Sequence, residues 1–441
     1  MALNIKYIEE EIIDQYLNDD NPRPWIIGFS GGKDSTMLLQ LVWLSILKID
    51  PILRSRNIYV VCNDTLVENP KIAQFINITL QNIQKAAAAQ NLPITVHQTT
   101  PRLEDTFWVN LLGKGYPAPN NSFRWCTDRL KINPTTEFIR NKISEVGEAI
   151  ILLGTRSDES ATRAKSIANS KIHIESERLR RHVLPNAFVF SPISDVLTDE
   201  LWAYLLQVNP PWGGTHRALV TLYRNATGGD CPLVIDTTTP SCGQSRFGCW
   251  VCSVVKRDKS MEALIDNGEE WMEPLVEFRD MLVDFRNDRS WRQTWRRNSS
   301  VEDADEETWG PYLPEKRAYM LHVLLKAQKE VQQEDPNLIL VNYQELVAIQ
   351  VTWHRDSIFD HNVADIYNSV YKTQMKNEDF SDGQVFEKDL LKEVCTDPAD
   401  FNLIGELLEI QKSKIILVNN FGIQSDFENH IERDYKKRNI C

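Results

Sequence analysis

The chain has 441 residues, 42% of them hydrophobic and 25% charged, with a formal net charge of −13. This size accommodates two or three domains, and the negative charge excludes a protein that coats nucleic acid by bulk charge while leaving room for a local basic groove. No apolar run approaches the roughly 20 residues of a membrane span, and Met1-Ala2-Leu3-Asn4-Ile5-Lys6 has no apolar signal segment, so a cytoplasmic location is expected.

Taken in chain order, Trp25-Ile26-Ile27-Gly28-Phe29 reads as a strand. It feeds Ser30-Gly31-Gly32-Lys33-Asp34-Ser35, and a helical pattern runs from Thr36 to Trp43. A strand, a Gly-rich turn and a helix start together make an anion site. The glycines admit close approach of an oxyanion, and free N–H groups and the helix dipole favour negative charge. The Walker-A spacing fails, because Ile27 stands where its first Gly belongs and Asp34 where its Ser or Thr belongs. The competing reading is an ordinary strand-to-helix turn.

Asn57 to Cys62 reads as a second strand, with Asp64 just beyond it and Glu68 close behind. Such a carboxylate suits ribose hydroxyls or a metal, or else caps a turn. Pro70 to Ala89 reads as a helix, Pro93 to His97 as a third strand, and Pro134 to Glu145 as a helix opened by proline. Ala149 to Leu153 is a short apolar strand of the kind buried in a parallel sheet. After it come Gly154 for a tight turn, Arg156 and Arg163 as phosphate clamps, and Glu159 as a metal or arginine partner. A solvated helix start is the plainer alternative. The alternation predicts an α/β fold, a doubly wound and mostly parallel sheet with ligands at the strands' carboxyl ends.

Two basic stretches follow. Lys171 to His182 carries Arg178, Arg180 and Arg181 and reads as a loop over the site, or else as a solvated helix face or an interdomain contact. Arg286 to Arg297 interleaves Arg289, Arg292, Arg296 and Arg297 with Trp291 and Trp295, which suits phosphate and base contacts or else a solvated or interdomain helix face. Val301 to Glu307 is an acidic break. Beyond it, Lys316 to Val331, Tyr343 to Trp353, Lys388 to Glu393 and Gly405 to Ile410 have helical character without nucleotide or metal motifs. The expected organisation is a nucleotide domain over 1–215, a cysteine-rich and basic segment over 216–299, and a helical accessory region over 300–441.

The chain holds eight cysteines, which in a reducing compartment point to metal ligands or reactive thiols before disulfides. Cys242, Cys249 and Cys252 form a C-x6-C-x2-C cluster, Cys126 lies in an Arg-rich turn, and Cys231 follows Gly228-Gly229-Asp230. Four thiolates fit tetrahedral zinc or an iron–sulfur cluster, and spacing does not choose between them.

Ser30 to Ser35, Asp64-Thr65, Arg124-Trp125-Cys126, Lys131, Gly154-x-Arg156-x-x-Glu159-Ser160-x-x-Arg163 and Pro192-Ile193 together resemble the phosphoadenylylsulfate reductase superfamily of PP-loop ATP pyrophosphatases. The resemblance runs over roughly residues 20–255. Tyr59 to Thr65, Phe123 to Lys131 and Phe247 to Cys252 are most similar to its DndC family of DNA phosphorothioation sulfurtransferases. The resemblance implies an ATP site at Ser30, Gly31, Gly32, Lys33, Asp34, Ser35, Asp64, Gly154, Arg156 and Glu159, with Mg²⁺. It gives Lys33, Asp34, Ser35, Arg156 and Arg163 roles in catalysis. It tips the metal toward a [4Fe–4S] cluster on Cys126, Cys249, Cys252 and Cys242, with Cys231 as a sulfur-carrying thiol, or with those last two exchanged. Thr127 stands where reductases pair a second cysteine with the first, and Cys441 lacks their Glu-Cys-Gly context.

The implied activity is adenylation of a DNA backbone phosphate with release of pyrophosphate, followed by entry of sulfur. The implied partners are DNA, a cysteine desulfurase, and DndD- and DndE-like proteins. The alternatives are a phosphoadenylylsulfate reductase or thiolase acting on a small molecule or tRNA, and a non-catalytic iron–sulfur scaffold.

Overall fold

The computed structural model describes residues 4–17, 23–159, 178–226, 248–294, 309–356, 358, 360–375, 391–395, 397–416, 427–428, 430–432 and 434–435. The chain divides into two compact units, Met1–Pro101 with Arg124–Val276, and Arg102–Phe123 with Glu277–Cys441.

The first unit is built on a six-stranded sheet of β1 (Trp25–Gly28), β2 (Ile58–Asn63), β3 (Ile94–Thr99), β4 (Ala149–Leu152), β5 (Arg180–Arg181) and β6 (Ala187–Phe190). Its order is β3-β2-β1-β4-β6-β5, parallel throughout except for β5, which runs antiparallel on the edge. The central strands are apolar on both faces because both faces are covered. Trp25, Ile27, Ile58, Val60, Ile150 and Leu152 point into one core, and Ile26, Val61, Ala149 and Ile151 into the other. The first core takes α1 (Ile5–Leu17), α2 (Lys33–Leu47) and α3 (Pro70–Ala89), and the second takes α4 (Asn133–Val146) through Ile139. This split is the two-residue period of a strand written twice.

Local signals fix the helix ends. Asn69 caps α3 by accepting from the N–H groups of Lys71 and Ile72, with Pro70 in the first turn. Gly147 stops α4 at φ +93°. Further helices of the unit among the described residues include α5 (Thr198–Gln207), α6 (Arg217–Ala226) and α7 (Lys259–Asp266). The chain leaves β1 for β2 and β3 and returns on the other side as β4. The carboxyl ends of β1 and β4 therefore flank the point where strand order reverses, the usual ligand crevice of such sheets.

The division falls within α8 (Glu273–Phe285). The second unit contains α9 (Pro314–Val331), α10 (Tyr343–Arg355), α11 (Val363–Tyr371) and α12 (Pro398–Ile416). Its core takes in the segment that follows β3: Trp108 and Leu112 are buried, Trp108 Nε1 donates to Leu340 O, and Trp353 Nε1 donates to Leu112 O at 2.8 Å. Arg317 is 1% exposed and binds Tyr312 O and Gly113 O, both at 2.8 Å, and Asp356 at 3.1 Å. Among the described residues no helix is long and apolar enough to cross a membrane. The acidic break at 301–307 lies outside the described residues.

Candidate active site

The loop after β1 has the geometry of an anion cradle. Gly31 takes φ +70°, and a Cβ there would stand 2.7 Å from Ile76, so the turn needs glycine on two counts. Gly32 is extended and opens α2 without a side-chain cap. The first amides of α2 therefore point out of the sheet's carboxyl edge as donors. Ser35 Oγ accepts from Ser30 N at 3.2 Å and donates to Gly32 O at 3.1 Å, tying the loop's two ends together.

The loop after β4 closes against it. A Cβ on Gly154 would meet Asp34 C and O at 2.9 Å and Ser35 N at 3.1 Å, so these two loops touch backbone to backbone. Asp34 stands between two cations, with Lys33 Nζ at 3.1 Å on one oxygen and Arg156 Nε at 2.6 Å on the other. Arg156 differs from the sequence expectation of a phosphate clamp. It is 1% exposed and also donates to Val196 O at 2.9 Å and Thr198 Oγ1 at 3.2 Å. Its guanidinium is a brace for Asp34. Asp158 receives both the N–H and the hydroxyl of Thr198, at 2.9 and 2.7 Å. Those bonds, with the nearby Arg156 and Lys33 cations, outweigh burial and lower its pKa. Glu159 ends the short turn Ser157–Glu159, and Arg163 lies outside the described residues.

Asp64 follows β2, and its Oδ1 accepts the amide of Leu66, a non-glycine residue at φ +63°. This tight turn runs directly into the cysteine region. Thr65 Oγ1 donates to Glu68 at 2.9 Å and lies 3.4 Å from Cys249 Sγ, while Lys131 Nζ stands 3.9 Å from Glu68. A backbone bridge pairs Glu68 with Cys249, and Trp250 N donates to Val67 O at 3.0 Å. The Asp64–Glu68 loop thus begins at the carboxyl edge of the sheet and ends on a thiol.

Cys126, Cys249 and Cys252 all act electrostatically on Lys131, and their thiolates raise its pKa, Cys249 most strongly. Burial, and then the Glu68 carboxylate, pushes the Cys249 thiol up to about 12. Burial and the Cys252 thiolate raise Cys126. Among the described residues no three acidic, histidine or cysteine side chains form a metal-binding group. The trio nonetheless supplies three donors of the right kind, beside a cation that offsets thiolate charge. Cys231 and Cys242 lie outside the described residues.

The basic segment folds differently from its sequence reading. Arg292 is 7% exposed, donates to Gly310 O at 2.6 Å, and stands over the rings of Trp309 and Tyr312. Arg289 donates to Arg292 O and Gln293 O, at 3.2 and 3.1 Å. Trp291 stacks on Phe285 at 4.0 Å between centroids. Arg292 is an internal brace of the second unit and is not presented to a phosphate. Arg296 and Arg297 lie outside the described residues. Of the other basic stretch, Arg180 and Arg181 form β5, and Arg180 donates to Ser191 Oγ at 2.8 Å.

Tyr223 was not singled out from the sequence. It comes from α6, and its hydroxyl accepts the N–H of Lys33 at 3.2 Å. A partner 190 residues away along the chain leaves no local signal.

A family model described as Phosphoadenosine phosphosulfate reductase domain matches residues 24–254. Uncharacterized protein MJ0066 of Methanocaldococcus jannaschii is 27% identical over 191 residues, 43% of this chain and 33% of the relative. The chain therefore spans about a third of the length of that curated relative. Two solved structures are similar at low identity. Phosphoadenylyl-sulfate reductase from Candida auris, in a phosphate complex, is 13% identical, covering 47% of this chain and 88% of its own, with a TM-score of 0.26. The U34-tRNA thiolase NcsA from Methanococcus maripaludis, with its [4Fe-4S] cluster, is 14% identical, covering 64% and 78%, with a TM-score of 0.28.

Proposed function

This chain belongs to the phosphoadenosine phosphosulfate reductase domain family, and on that premise we propose that it is an ATP pyrophosphatase and sulfurtransferase of the DndC type, acting on DNA. One observation carries the reading. A single five-residue loop, Asp64–Glu68, starts at the nucleotide edge of the sheet and ends against Cys249. On this reading an adenylation site and a thiol site are adjacent, as replacement of an activated oxygen by sulfur requires.

In this reading the α2 amides, Ser30, Ser35 and Lys33 bind the ATP phosphates. Asp34 fixes Lys33 and is itself fixed by Arg156. Asp64 serves the ribose or a Mg²⁺ ion, which would neutralise phosphate charge. A non-bridging oxygen of a DNA phosphate attacks the α-phosphorus. The bond to the bridging oxygen of the β-phosphate breaks, and pyrophosphate leaves with the electron pair. A sulfide-level sulfur then displaces AMP from the activated DNA phosphate, leaving sulfur in place of the oxygen.

Cys126, Cys249 and Cys252 would hold three corners of a [4Fe–4S] cluster, with Cys242 or Cys231 as the fourth. Such a cluster, when bound, supplies iron at which sulfur can be held. A cysteine desulfurase would provide the sulfur, and DndD- and DndE-like proteins would complete the assembly on DNA.

Anaerobic purification, with iron, sulfide and pyrophosphate assays with and without DNA, tests the reading. Pyrophosphate release that rises with DNA, with about four iron and four sulfide per chain, is the expected result. Zinc in place of iron, or release stimulated by tRNA or adenylyl sulfates and not by DNA, would overturn it.

A further inference from the structure

We propose that Tyr223 competes with nucleotide for the phosphate site, its hydroxyl standing where a phosphate oxygen would bind. The inference rests on the nucleotide reading of the Ser30–Ser35 loop.

The geometry is specific. Lys33 is the first residue of α2, so its N–H is one of the donors a helix leaves without an intrahelical partner. An incoming anion would take that donor. In this structure it goes to Tyr223 Oη at 3.2 Å. The same oxygen lies 3.3 Å from where a Cβ on Gly32 would stand, so it sits against the turn itself. The Lys33 ammonium lies 5.4 Å from the centre of the Tyr223 ring, so both the backbone N–H and the ammonium of Lys33 face one side chain. Tyr223 is 6% exposed and meets Trp202 of α5 edge to face at 5.0 Å, which fixes the ring's approach.

A neutral phenol is the weaker competitor for this amide. Its bond is at the long end for N–H···O, whereas a phosphate oxygen makes a shorter, charge-assisted one. Phosphate therefore displaces the hydroxyl, and every binding event includes breaking the Lys33–Tyr223 contact. Tyr223 is a positioning residue on this account. Its hydroxyl is the acceptor that an anion must displace from the Lys33 amide, and moving it couples nucleotide occupancy to α6.

The test is nucleotide binding by full-length wild type and Tyr223→Phe, by calorimetry with ATP and with inorganic pyrophosphate. Phenylalanine keeps the ring over Lys33 and against Trp202 and removes only the competing oxygen. The expected result is binding roughly two- to tenfold tighter in the variant for both probes, the span of one net hydrogen bond. A merely structural role predicts the opposite sign, since lost support weakens binding. Unchanged or weaker affinity in a variant that melts like wild type overturns the proposal. Failure of both proteins to bind either probe overturns the nucleotide reading, and this inference with it.

Discussion

The loop at Ser30–Ser35 and the segment around Arg289–Arg292 are both rich in groups that attract phosphate, yet the fold treats them in opposite ways. In the first, backbone amides at the start of α2 are turned out at the sheet's carboxyl edge, and the nearby charges hold the loop's shape. In the second, guanidiniums are consumed by backbone carbonyls and aromatic rings inside the unit. Arg156 shows the second behaviour within the first site. The proposed anion site thus rests on backbone geometry, and several of the arginines are structural cations. A buried guanidinium must satisfy its donors within the fold.

The comparison can be broken most forcefully at Gly154. Gly154→Ala places a Cβ 2.9 Å from the backbone of Asp34, and nothing flexible can yield. The two loops must part, and pyrophosphate release should fall by about 100-fold or more, measured beside a thermal melt to exclude global unfolding. Next comes Arg292→Ala, which orphans Gly310 O and should cost the second unit about 1–3 kcal/mol, read by denaturant unfolding. If that variant instead keeps its stability and loses DNA affinity, the inward assignment is wrong.

Glu345 extends the contrast to an acid. It is 2% exposed at the start of α10, and burial raises its pKa to about 7. The folded state then binds more protons than the unfolded state between pH 4.5 and 7. Its stabilising contribution is full below that window and is lost as pH rises through about 7. Glu345→Gln should flatten this slope and gain about 1–2 kcal/mol at pH 8, measured by urea titration across pH. The smallest effect is expected at Thr65→Val, which removes the hydroxyl between Glu68 and Cys249. It should cost about 0.5–1.5 kcal/mol and lower metal retention more than ATP affinity.

Much of the first unit was legible because its signals are local. Apolar runs of strand length, a proline at a helix start and the Gly-rich turn mark β1 to β4, α3 and the anion loop. The resemblance ranges also placed Cys126, Cys249 and Cys252 in one functional set, and the structure brings all three within electrostatic reach of Lys131. What was not legible depends on distant partners. The β5 strand is two residues long, too short for any pattern to show. Tyr223 meets Lys33 only through the packing of α6. The inward turn of Arg156 and Arg292 follows from carbonyls 40 and 18 positions away along the chain. The segment after β3 reads linearly as part of the nucleotide domain, yet Trp108 and Leu112 bond to residues more than 230 positions away.

The central claim is that two separable sites, one for ATP and one for metal and sulfur, share the Asp64–Glu68 loop. The most direct measurement is ATP binding, pyrophosphate release and iron content, taken together on Asp34→Ala and Cys126→Ser purified anaerobically. The account predicts that Asp34→Ala keeps its iron and loses pyrophosphate release, while Cys126→Ser loses its iron and still binds ATP. Either substitution removing both properties from a protein that still unfolds cooperatively would contradict it.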